Sequence, residues 1–134
     1  MLPDLQSALA CEDVRMEVNG SNTIVGVINV IAVPMVPFRV IKLCVYTRWV
    51  SGDGEFNQKV RILTPDEKEL GVTETRFKIT PHDAHTTNIA IFSGMEFSQF
   101  GDYPVEIFLN TDLRLRFPLR AVKLPGFTPP PEAS

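Results

Sequence analysis

The run Leu113-Arg114-Leu115-Arg116-Phe117-Pro118-Leu119-Arg120 constrains the fold more than any other: every odd position is apolar and three of the four even positions are arginine. Side chains alternate across a strand with period two, so the run predicts a strand with one buried and one wet face. Just upstream, Tyr103, Val105, Ile107 and Leu109 alternate with Pro104, Glu106, Phe108 and Asn110, and Asn110-Thr111-Asp112 supplies a tight turn. The two runs predict a hairpin. The same period places Ile41, Leu43, Val45, Thr47 and Trp49 on one face, with Cys44 pointing away from the core. Ser51 to Glu55 then turns the chain, and Phe56, Val60 and Ile62 return along a partner strand. A second turn carries Pro65 in the second position of a type I turn and leads into Thr73, Thr75, Phe77 and Ile79. Ile89 to Phe97, Thr23 to Val33 and roughly Ala8 to Val18 bring the expectation to about eight strands. No apolar stripe of helical period runs for three turns, so the expected class is all-β, an antiparallel sandwich. Pro118 cannot donate to a central ladder; it points to an edge strand or bulge, and so to an open sandwich rather than a closed barrel.

A chain of 134 residues is sized for one domain with a real core. That domain is expected over residues 1–124. The segment 125–134, PGFTPPPEAS, reads as an extended, polyproline-like tail. A net charge of −3 gives no basic face for a phosphate backbone, so nucleic acid is not an expected partner. The most apolar run, Ile24 to Phe38, is broken by Asn29, Pro34 and Pro37 and is shorter than the roughly 20 residues that cross a bilayer. Membrane is therefore not expected either. The first fifteen residues lack the charged start and apolar centre of an export signal, and Cys11 and Cys44 are the only cysteines. Two thiols do not make a disulfide framework, so a cytoplasmic setting with both reduced is expected.

The segment QFGDYPVEIFLNTDLRLRF resembles the last two strands of immunoglobulin-like sandwiches, in which a glycine and a tyrosine open the penultimate strand. An inward Trp49 suits that resemblance, whereas Val105 stands where antibody domains carry their second cysteine. Over the whole chain, CEDVR, GVINV, LCVYTRW and GDYPVEIFLN resemble a group of small uncharacterised bacterial sandwich proteins. The resemblance implies a fold and a bacterial, intracellular setting, and it brings no assigned activity or site residues.

Both histidines lie in TPHDAHTT. Thr80 can cap and Pro81 suits a first helical position, so one helical turn would bring His82 and His85 to the same side. Asp83 falls on a different side, and a catalytic zinc needs three protein ligands, so a polar connecting loop is the favoured reading over a metal site. Ser51-Gly52-Asp53-Gly54-Glu55 lacks the lysine and following helix of a phosphate loop and the ligand spacing of an EF-hand. Cys44 is read as a structural thiol. No cofactor is expected.

Two surface features remain. Arg114, Arg116 and Arg120 project from one strand face, with Lys59 and Arg61 on another strand, as a solvated face or an acidic-partner site. Pro34, Met35, Val36, Pro37 and Phe38 form an apolar connection where a polar turn is the norm, which points to contact with another chain or to packing over the open end of the sandwich. The residues assign no specific activity. The reading favoured by them is a non-enzymatic interaction module that self-associates or joins a protein partner. Its alternatives are a carbohydrate-binding sandwich and a metal-dependent enzyme using His82 and His85.

Overall fold

A computed structural model describes residues 1–125, so most of the proline-rich tail, 126–134, lies outside the described residues. Nine strands follow one another: β1 (Asp4–Met16), β2 (Asn22–Val27), β3 (Val30–Val33), β4 (Phe38–Val50), β5 (Gly54–Leu63), β6 (Glu69–Ile79), β7 (Thr86–Phe97), β8 (Gly101–Leu109) and β9 (Asp112–Lys123). They form a four-stranded sheet, β2-β1-β4-β7, and a five-stranded sheet, β3-β9-β8-β5-β6. All pairings are antiparallel except β3 with β9. Strands β1, β4 and β7 take the places of A, B and E in an immunoglobulin-like sandwich, and β9-β8-β5-β6 those of G, F, C and C′.

Leu43, Val45, Trp49, Ala90 and Phe92 from one sheet face Val60, Ile62, Ile79, Tyr103, Val105, Ile107 and Leu119 from the other, and together they make one core. Their alternation along each strand is the period read from the sequence. The β8–β9 hairpin is as expected, closed by Asn110 and Thr111 between the paired Leu109 and Asp112, with Asn110 at φ 55°. The β5–β6 turn also follows expectation: the Glu67 N–H donates to the Thr64 carbonyl at 2.9 Å, which puts Pro65 in the second position of the turn.

Three expectations need correction. Thr23 to Val33 is two strands, because the chain leaves β2 at Ile28, whose N–H donates to the Ala10 carbonyl, and β3 joins the opposite sheet. Strands β4 and β5 do not pair as a hairpin; β4 is bonded on both sides, to β1 and β7, so the turn after it crosses to the other layer. Ile41 does not share the buried face of Leu43: it is 86% exposed. The inside–outside phase slips there on both strands at once, since Val40 and Leu43 both pack on the core, as do Met95 and Phe92 opposite them. Gly94, at φ 66°, sits within the slip.

Pro118 faces Pro104 across β8 and β9. Two prolines cannot exchange N–H bonds, so this is a non-hydrogen-bonded pair whose nitrogens face outward. The flanking ladders begin only at Arg120 on the β3 side and Val105 on the β5 side, so neither missing donor leaves a gap. At Pro118, then, β9 is an edge, although β3 covers it two residues later.

Candidate functional site

The apolar connection is the crossing between the sheets at the β3 edge. The β3 ladder ends where the Leu124 N–H donates to the Val33 carbonyl at 2.9 Å, and Pro34 offers no donor with which to continue it. Residues 34–37 then bend across, with a cis Val36–Pro37 bond, to Phe38 at the start of β4. Val33 is buried and Val36 half-buried, which anchors the segment, while Met35 is 70% exposed and Phe38 37% exposed. With Ile41, three large apolar side chains face solvent within seven residues. No titratable group lies between Pro34 and Phe38, so what this connection offers a partner is apolar area.

The arginines of β9 have diverged. Arg120 forms a bidentate pair with Asp102, at 2.7 and 3.2 Å, and holds that carboxyl below the usual range. Arg116 donates to Glu106 at 2.8 Å and to Glu67 at 2.6 Å. Arg114 alone of the three has no ion-pair partner among the described residues. Arg61, which the sequence left unplaced, reaches Glu106 from the other side at 2.6 and 2.9 Å, and Lys59 and Arg61 both lie over the Phe108 ring. Glu106 is thus a buried carboxylate clamped between two guanidinium groups on the outer sheet face. Glu106 and Glu67 together balance Arg61 and Arg116 within the chain, and an acidic partner would have to compete with them. Period-two reading missed Glu106 as a hub because it registers only which face a residue takes, and a lone outward glutamate carries no signal of two arginines converging on it.

The histidine segment is a turn and not a helical one. The Asp83 carboxylate accepts from the Thr80 N–H at 2.7 Å and from its hydroxyl at 3.0 Å, the reverse of the cap expected from Thr80. The backbone bond holds the Asp83 carboxyl below its ordinary value. His82 and His85 are both exposed, and among the described residues no three His, Cys, Asp or Glu side chains are grouped to hold a metal ion.

Cys11 and Cys44 are free and stand directly opposite each other on β1 and β4, on the side away from the core, yet both are buried. Burial, reinforced by the neighbouring Cys44, pushes the Cys11 thiol up to about 11, and burial raises Cys44 as well. Neither is suited to act as a nucleophile, which needs the thiolate. A raised folded-state value means that the unfolded chain gives up its proton first. Stability contributed by Cys11 is therefore complete below pH 9 and is lost as pH climbs from 9 towards 11. Urea denaturation at pH 8, 9.5 and 11 is expected to show this decline in the wild type and a shallower one in Cys11→Ala.

Shallow grooves of about 450 and 590 Å³ lie along β5 and β6; Asn57, Arg76 and Asn110 line both, with Phe56 and Phe77 in the first and Phe108 in the second. The sole tryptophan and both tyrosines are interior, so a carbohydrate site has no aromatic platform of those types.

A family model described as a family of unknown function, DUF6941, matches residues 6–122. No curated protein matches the chain. Among solved structures, an immunoglobulin-like protein from Pseudomonas aeruginosa is 13% identical, with a TM-score of 0.40, over 91% of this chain and 98% of that one.

Proposed function

The chain belongs to the DUF6941 family, a family of unknown function, and we propose that it is a non-enzymatic interaction module that docks a protein partner on its Pro34–Phe38 crossing. The observation that carries this reading is the exposure of Met35 and Phe38 on a connection anchored by half-buried Val36, with exposed Ile41 following on β4. Solvent-facing apolar side chains on a connection that the fold holds in place offer the area from which interfaces draw their energy. Two buried, unpaired thiols support a reducing, cytoplasmic setting in a bacterial cell for this role.

The test is a variant with Met35→Asp and Ile41→Asp, both at exposed positions, so its unfolding free energy is expected to stay within about 0.5 kcal/mol of wild type. Crosslinking in cells followed by purification should recover a defined partner with the wild type and lose it with the variant. Recovery of the same partner by both proteins, or of none by either, would overturn the reading.

A further inference from the structure

We propose that β6 is a self-association edge, through which two copies of the chain pair their five-stranded sheets antiparallel about Thr75. Strand β6 ends the five-stranded sheet at the edge opposite β3, so this surface is separate from the Pro34–Phe38 crossing and does not depend on it.

The main chain decides which residues can pair. The Asn57 N–H donates to the Asn110 side-chain oxygen, and the Asn57 carbonyl accepts from the Asn110 N–H at 2.7 Å, so the Asn57 backbone faces β8. Backbone groups of successive strand residues point to opposite sides, so the Gln58 backbone faces β6 and bonds its partner there, Thr75. The N–H and C=O groups of Glu74 and Arg76 therefore point away from the sheet. Lys78, two residues on, confirms the parity: its carbonyl accepts the Thr86 hydroxyl from the outer side.

The side chains decide the register. Glu74 and Arg76 are exposed on the same sheet face, and neither has an ion-pair partner among the described residues. With the two-fold axis at Thr75, Glu74 of each copy lies opposite Arg76 of the other, and these pairs are also the ones whose free backbone groups meet. Two charge pairs, four main-chain bonds and a central Thr75–Thr75 contact form together. An axis at Glu74 would oppose two carboxylates, and one at Arg76 two guanidinium groups. Charges on an edge strand ordinarily discourage pairing, but opposite signs two residues apart are complementary to themselves.

Sedimentation equilibrium over a concentration series, with the full chain, tests this. The wild type is expected to form a dimer that weakens with salt. Arg76→Glu, which sets like charges opposite each other, should weaken it by roughly tenfold or more. Glu74→Arg with Arg76→Glu exchanges the charges and should restore pairing, and an equimolar mixture of the two single variants should associate more tightly than either alone. Rescue by the double variant and by the mixture excludes a folding defect as the cause. A wild type that stays monomeric at millimolar concentration, or a dimer indifferent to Arg76→Glu, would overturn the proposal.

Discussion

Tyr103→Ala is expected to lower the unfolding free energy by about 3–5 kcal/mol, close to what removing a buried aromatic side chain costs in other cores. Tyr103 is fully buried, packs edge-on against Phe97 with ring centroids 4.6 Å apart, and its hydroxyl donates to the Gln99 carbonyl at 2.7 Å. The hydroxyl also accepts from the Gln99 N–H at 3.2 Å, so one atom ties both backbone groups at the β7–β8 corner. This is the tyrosine corner of immunoglobulin-like folds. Tyr103→Phe keeps the ring and loses the tie, for which about 1 kcal/mol is expected. His82→Ala, on an exposed turn, should fall within about 0.5 kcal/mol of wild type. Chemical denaturation with an unchanged slope against denaturant distinguishes these outcomes. Equal losses in Tyr103→Ala and His82→Ala would mean that the corner does not bear the sandwich.

Tyr103, Val105, Ile107 and Leu109 could be read as a core face because β8 lies in the middle of its sheet and all four of these positions are buried. The same rule failed at Ile41, where a paired phase slip on β4 and β7 reverses the faces, and a slip of that kind leaves no mark on one strand taken alone. It failed in part on β9: Leu119 is buried, but Leu115 is exposed although it still pairs with Ile107, and Leu113 is exposed beyond a shift in the β8–β9 register. The pairing of strands was the least legible element. Short turns such as Ser51–Glu55 look alike whether the chain doubles back in one sheet or crosses to the other, and only the bonding of β4 on both sides separates the cases. Trp49 shows the same limit. Antibody domains carry their buried tryptophan on the strand called C, whereas Trp49 sits on β4, in the place of B, stacked at 5.8 Å on Phe77.

Of the surface features, the Pro34–Phe38 connection was legible because composition alone marks an apolar loop as unusual. The arginine stripe was legible as a stripe, but its pairing was not. A sequence displays charges without their partners, and Asp102, Glu106 and Glu67, which engage Arg116 and Arg120, lie on β8 and in the β5–β6 turn. Complementarity of Glu74 and Arg76 was likewise present in the sequence but had no meaning until β6 was known to be an edge.

Gln58→Leu is expected to cost about 3 kcal/mol even though leucine is nearly the same size and more apolar. The Gln58 side-chain carbonyl accepts from the Thr47 hydroxyl at 2.6 Å, from the Trp49 indole N–H at 2.7 Å and from the Asn88 amide at 3.4 Å, and all four residues are buried. The substitution removes one acceptor and strands several donors, each at about 1–3 kcal/mol when buried. Two effects limit the loss: the Thr47 hydroxyl can turn to the Asn88 carbonyl, 3.2 Å away, and the unpartnered Gln58 amide nitrogen disappears with the side chain. The Trp49 indole has no such alternative. Thr47→Val in the Gln58→Leu background should therefore add less than it does alone, a coupling that a double-mutant cycle reads directly. Donors on β4 and β7 meet an acceptor on β5, so the cluster closes only when the two sheets stack in one alignment. The Gln58→Leu protein should accordingly show a changed near-ultraviolet signal from Trp49 as well as a lower midpoint. A variant as stable as wild type, with that signal intact, would show that apolar packing alone aligns the sheets.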